Sequence, residues 1–229
     1  MEMVQRIRLL TRIRKRRIES MTVTDVIRIS GNRYQIMIDE EFAFVLYKGE
    51  LSSYKIEKGK NIDRETYDVI IEQVLVKRAK LRAMNLLKTK AYTEKKLREK
   101  LVDGQYPQNC IEEAVLYVKS FGYIDDKQFA EDYLFYHGGD KNKRQLLFKL
   151  HQKGVPDDIA ADAYENFCQS GMAPSEEELI CQHLVKKRYD PAGDEKEKNK
   201  MVRSLLQKGF SYGKVMESIV HYSKSEPFF

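Results

Sequence analysis

Three segments of the chain can be laid over one another, and this repetition limits the fold more than any other feature. Residues 97–101 (LREKL) match 146–150 (LLFKL) and 201–205 (MVRSL). Five places beyond the last leucine stands an apolar residue each time: Tyr106, Val155 and Phe210. Gly154 and Gly209 precede it in two copies, and the first copy has Gly104 one place earlier. Pro107, Pro156 and Ser211 follow, residue types suited to starting a helix. Small residues then align at Ala114, Ala163 and Ser218, each followed by a larger one at Val115, Tyr164 and Ile219. The copies lie 49 and 55 residues apart, room for a helix–turn–helix–turn–helix unit that buries its apolar stripe partly against its neighbour.

The expected fold is mainly α: three tandem three-helix repeats forming an elongated curved body, with a small N-terminal antiparallel β segment. The boundaries read as a basic arm over 1–20, a β domain over 21–62, and repeats over 63–123, 124–170 and 171–229. Three short strands are expected around Val23–Ile29, Tyr34–Ile38 and Phe42–Leu46. The turns fall at Ser30-Gly31-Asn32 and Asp39-Glu40-Glu41, and Lys58-Gly59-Lys60 makes a connecting turn. From Asp63, an N-cap, the period becomes helical and stays so, with Val76, Ala79, Ala83, Leu86 and Leu87 on one stripe. Asp125 with Gln128, and Ser175 with Glu178, fit capping boxes, Ile124 is placed to staple onto Phe129, and Gly122 fits a helix end.

The net charge of +6 suggests a polyanionic partner, but residues 1–20 alone carry +5. That arm is a short basic helix with Ile7, Leu10 and Ile13 on one side, a disordered arm, or dispensable sequence ahead of a start at Met21. In the body, charge follows the repeat. Residues 77–100 hold ten bases against two acids, 101–140 hold eight acids against two bases, and 141–154 hold five bases and no acid. Residues 155–180 hold seven acids and no base, and 181–208 return to positive. Acids gather at helix starts because the dipole favours them there. Recurrence in register still argues for a basic face on the second helices.

Little else carries chemistry. No phosphate-cradling glycine loop, nucleophile elbow or paired-histidine metal motif is present, so neither an enzyme nor a cofactor is expected. Cys181 and His183 lack a second pair at ligand spacing, and Cys181 reads as a core residue. Glu112-Glu113 and Asp125-Asp126 read as helix-start acids. Tyr92, Tyr106, Tyr123, Tyr133 and Tyr136 read mostly as packing. No apolar run is long enough to span a membrane, and three unpaired cysteines without a signal peptide fit a cytoplasmic protein. With no heptad run, a monomer is expected.

Residues 121–133 (FGYIDDKQFAEDY) resemble the central signature of the RecX family, bacterial regulators of the RecA recombinase. Residues 91–97 (AYTEKKL), 150–155 (LHQKGV) and 206–212 (LQKGFSY) resemble the starts and ends of its repeats, and 41–44 (EFAF) a β extension of some members. The resemblance covers about 21–222. It implies three tandem three-helix repeats and binding to the RecA–DNA filament, in its groove across neighbouring protomers. It also implies limits on filament growth, ATP hydrolysis and strand exchange in recombination, repair and the SOS response. Single- and double-stranded DNA are implied partners. Gly138-Gly139-Asp140 and Pro191-Ala192-Gly193 depart from the family pattern.

The expected DNA or filament contacts are Lys88, Lys90, Lys95, Lys96, Arg98, Lys100, Lys141, Lys143, Arg144, Lys149, Lys153, Lys186, Lys187 and Arg188. Two competitors remain: a sequence-specific transcriptional regulator, and a helical-repeat adaptor that binds only protein. The first lacks a base-reading cluster of Arg, Asn and Gln on one helix face. Binding to protein without any affinity for DNA would mark the second.

Overall fold

The structure is a computed structural model that describes residues 20–224, so the basic arm lies outside the described residues, apart from its last residue, Ser20. The described residues form two compact units: those up to Ala91 with Lys96–Ile124, and Tyr92–Lys95 with those from Asp125 onward.

In the first unit, β1 (Ser20–Ser30), β2 (Arg33–Ile38) and β3 (Glu41–Tyr47) form a meander, with a short helix α1 (Lys48–Ser53) after it. A fourth strand, β4 (Asn61–Asp63), adds to the expected three and pairs with the start of β1, giving the order β3-β2-β1-β4. Both β4 and α1 were missed because a three-residue strand and a six-residue helix are too short for a period to register. At the second hairpin, Asp39 and Glu40 both take positive φ (50° and 71°), the arrangement whose twist suits a two-residue turn. Ile36, Phe44 and Leu46 are fully buried, and the Phe44 and Tyr67 rings meet at 5.7 Å.

Asp63 caps α2 (Arg64–Val69), accepting from the Thr66 amide at 2.6 Å. The helix runs on through a π-helical stretch at Ile70–Leu75 into α3 (Val76–Thr89), whose Ala79, Ala83 and Leu86 are buried. The sequence pattern shows this as one helix, since a π turn leaves apolar residues apolar and only shifts their phase. α4 (Glu94–Asp103) and α5 (Gln108–Ser120) complete the first repeat. At the end of α5, Gly122 takes φ +68°, its amide donating to the Lys119 carbonyl at 2.9 Å while Tyr123 donates to Val118 at 3.0 Å.

The second unit holds α6 (Asp126–His137), α7 (Lys143–Lys153) and α8 (Asp157–Gln169), then α9 (Glu176–Lys186), α10 (Glu195–Lys208) and α11 (Tyr212–Lys224). First and third helices pack together in every repeat, through Ala114, Ala163 and Ser218, which are 0–1% exposed. The aligned leucines Leu97, Leu101, Leu146, Leu150 and Leu205 are buried to the same degree, while Met201 is half-buried. The repeat read from the sequence is therefore a repeat of packing positions.

Caps behave as expected at Ser175, which forms a full box with Glu178. Asp125 accepts from the Lys127 and Gln128 amides, but the Gln128 side chain turns to Asp132 at 2.8 Å and closes no box. Gly138 sits hard against the Phe167 ring, where a Cβ would stand 2.3 Å from Cζ. That explains glycine at one of the departures from the family pattern. Among the described residues no helix is long and apolar enough to cross a membrane.

Candidate polyanion-contact surface

The second unit contains one joint built twice. In the segment Tyr92–Lys95, Thr93 is 1% exposed and its hydroxyl donates to the Lys153 carbonyl at 2.6 Å. Asn142, 6% exposed and four residues ahead of Leu146 as Thr93 is ahead of Leu97, donates through Nδ2 to the Lys208 carbonyl at 2.8 Å. Lys153 and Lys208 hold equivalent places, each directly before a glycine in the left-handed region (Gly154, φ +89°; Gly209, φ +98°). A Cβ on Gly154 would lie 2.9 Å from the Lys95 Cβ, and one on Gly209 would lie 3.1 Å from the Arg144 Cδ. Thus the end of a second helix is gripped by a buried donor and covered by the stem of a basic side chain two residues further on. The glycines provide both the backbone conformation and the room.

The two joints differ in what surrounds them. Around the first, the Lys153 ammonium lies 5.0 Å over the Tyr133 ring, which touches the His137 ring at 4.5 Å. Around the second, cations gather. Lys141 pairs with Asp140 and donates to the His137 carbonyl at 3.4 Å. The Asp140 carboxyl is held below its usual range by its bond to Lys141, helped by Lys186 and Lys208. His183, 3.3 Å from Ser204 Oγ, has its pKa lowered first by burial and then by Lys208, Lys187 and Lys186. Arg144 leans over Gly209 beside them. Five cations thus gather at this joint, and Asp140 is the carboxylate that pairs with one of them, Lys141. Lys208 belongs to the group and went unnoticed in the sequence; its place before Gly209, matching Lys153 before Gly154, is the signal that could have found it.

The other expected contacts divide. In the first unit Lys96 pairs with Glu99 at 2.7 Å and Lys100 with Asp103 at 2.9 Å, while Arg98 grips Glu112 through both guanidinium nitrogens at 2.8 and 2.9 Å. Those charges are largely answered within the fold. Glu112 is consequently a salt-bridge residue and not a cap, as is Glu113, 3.4 Å from Lys80. Asp126 accepts from the Glu94 amide at 2.8 Å. Lys88 and Lys90 are exposed at the end of α3. In the second unit Lys143 lies 5.2 Å over the Tyr164 ring and Lys149 donates to Gln152 at 3.1 Å. Lys186, Lys187 and Arg188 are exposed at the end of α9, with Arg188 itself at φ +51°.

Two tyrosines expected in the packing are at the surface: Tyr123 is 53% exposed and Tyr136 is 76% exposed. Tyr136 meets Phe135 edge-on at 5.1 Å, and Phe148 is also exposed. Cys181 is half-buried and burial raises its thiol pKa.

Repeated three-helix units with cations at their joints define a helical-repeat protein. The comparisons narrow this class. A family model described as RecX, first three-helix domain, matches residues 79–117, and one described as RecX, third three-helix domain, matches 175–218. "Regulatory protein RecX" of Caldanaerobacter subterraneus subsp. tengcongensis is 27% identical over 207 residues, covering 87% of this chain and 98% of that one. Its counterpart in Clostridium perfringens is 25% identical, covering 84% and 91%. The crystal structure of RecX from Lactobacillus salivarius superposes with a TM-score of 0.53 at 26% identity, over 64% of this chain and 96% of that one. Another RecX crystal structure, 23% identical with a TM-score of 0.56, shares the fold over 88% of the chain. The chain is thus similar to RecX proteins over most of its length, and those relatives are named as regulatory proteins.

Proposed function

We propose that the chain binds the RecA–DNA filament and limits its growth, ATP hydrolysis and strand exchange, using the second unit's cationic joint on the phosphate backbone. The observation that carries this reading is the gathering of positive charge there: Lys141, Lys186 and Lys208 act on Asp140, Lys187 acts with the latter two on His183, and Arg144 leans over Gly209 beside them. A surface built only to fold would balance these charges, as α4 does with Glu99, Asp103 and Glu112. Exposed Phe135, Tyr136 and Phe148 in the same unit give a protein-coated polyanion something apolar to touch.

The test is RecA ATPase on single-stranded DNA with increasing amounts of the protein. Inhibition near stoichiometric amounts is expected, and none would overturn the reading. For the joint itself, Lys141→Glu with Lys186→Glu and Lys187→Glu should weaken DNA or filament binding. The log–log salt slope should flatten by about 0.7 per lost single-strand phosphate contact. An unchanged slope would remove the joint from the interface.

A further inference from the structure

The first unit holds a cavity of about 380 Å³ between the sheet and the first repeat, lined by Arg33, Tyr47, Arg78, Arg82, Lys100 and Tyr106 among others. Asp103 is its one acidic lining residue. Two of the four cations are answered: Arg78 pairs with Glu50 and donates to the Val45 carbonyl at 3.1 Å, and Lys100 pairs with Asp103. The other two are not. Arg33 makes only a long 3.4 Å bond to the Gly104 carbonyl, and Arg82 is exposed with no carboxylate partner among the described residues. The walls include two phenol rings, with the Arg78 guanidinium 4.5 Å over Tyr47.

The first repeat departs from its siblings at this place. Val155 and Phe210, wholly apolar, align with Tyr106, which brings a hydroxyl whose pKa is raised by burial against the opposing pull of Arg78, Arg82 and Arg33. Gly104 makes room for that ring: a Cβ there would stand 2.8 Å from Tyr106 Cε2. The ring is therefore seated beside the arginines by a glycine placed for it.

We infer that this cavity is a phosphate-binding site, in which Arg33 and Arg82 take the anion and Tyr47 and Tyr106 flank what carries it. Guanidinium forks match phosphate oxygens, and an aromatic wall suits a nucleoside attached to the phosphate. The inference is independent of the reading above, which uses the second unit.

The experiment is a titration of the isotope-labelled full chain at constant ionic strength, following the Gly104 and Gln105 amides and the arginine Nε–H groups by NMR. The probes are inorganic phosphate, thymidine 5′-monophosphate and a short thymidine oligonucleotide. Saturable shifts with phosphate are expected, and Arg33→Gln with Arg82→Gln should weaken them at least tenfold. Arg82→Gln alone, at an exposed residue, keeps the test valid should the double variant unfold, and it should weaken them at least threefold. Tighter binding of the oligonucleotide identifies a strand as the source, and tighter binding of the mononucleotide a free nucleotide. The absence of saturable shifts with all three probes, or shifts unchanged in the variants, would overturn the inference. Charge reversal at the second unit's joint should leave these shifts intact, so failure of one proposal does not count against the other.

Discussion

Asn142 joins two jobs that substitution can separate. Its Oδ1 accepts from the Gln145 amide at 3.0 Å as the cap of α7, while its Nδ2 donates to the Lys208 carbonyl across the joint. Asn142→Ala removes both. Loss of the cap costs about 1 kcal/mol, and a partly buried carbonyl left without its donor costs about 1–3 kcal/mol. The sum is about 2–4 kcal/mol. Asn142→Asp keeps the cap, since a carboxylate serves there as well as an amide. It removes only the donor and sets an oxygen against the Lys208 carbonyl, for about 1–3 kcal/mol. Nearby Lys141, Lys186 and Lys208 would attract the new carboxylate and hide part of that loss. The measurement therefore belongs in about 1 M salt, where the screening length falls to about 3 Å. With a urea dependence of about 2 kcal/mol per molar, Asn142→Asp should lower the unfolding midpoint by about 0.5–1.5 M. Asn142→Ala should lower it further. A midpoint for Asn142→Asp equal to the parent's would refute the claim that this bond holds the second and third repeats together.

Four more outcomes follow from the geometry. Gln105, at φ +61°, stands where the other repeats use glycine, so Gln105→Gly should stabilise by about 0.5–1 kcal/mol, the left-handed penalty less the added chain entropy of glycine. Gly154→Ala should destabilise by about 2 kcal/mol or more in the same urea experiment, since its Cβ meets the Lys95 Cβ, an atom that cannot swing away. His183 has a folded pKa below its unfolded value, so it contributes stability that is present above the unfolded pKa and lost as pH falls through the folded one. His183→Gln should flatten the decline in thermal stability below about pH 6.5. Cys110 is buried, which with Glu113 nearby pushes its thiol up to about 11, so in the native protein iodoacetamide at neutral pH should label exposed Cys168 and leave Cys110 until unfolding. Mass spectrometry of the labelled peptides checks the order.

The repeat was legible in the sequence because packing demands it: Leu97 and Leu146, or Ala114 and Ala163, have to be alike to occupy the same buried place. The left-handed position was legible in two copies and obscured in the first, where Gln105 takes a conformation that its residue type does not announce. The charges were legible only in number. That Arg98 is spent on Glu112, fourteen residues away, while Lys186 and Lys187 stand over Asp140 and His183, depends on how helices are brought together, and no local pattern carries it. Tyr123 and Tyr136 were misplaced for the same reason. An aromatic residue on a helix or its cap reads alike whether it packs inward or outward.

The two donors at the joints also separate two kinds of helix cap. Thr93 and Asn142 each offer a hydrogen to the helix end that follows in the chain, whereas the cap of the second helix in the third repeat is Asp194, which accepts from the Glu197 amide at 2.7 Å. A carboxylate has no hydrogen to offer. A cap that also links repeats is therefore told from a cap that only starts a helix by whether the capping residue has a hydrogen left to give.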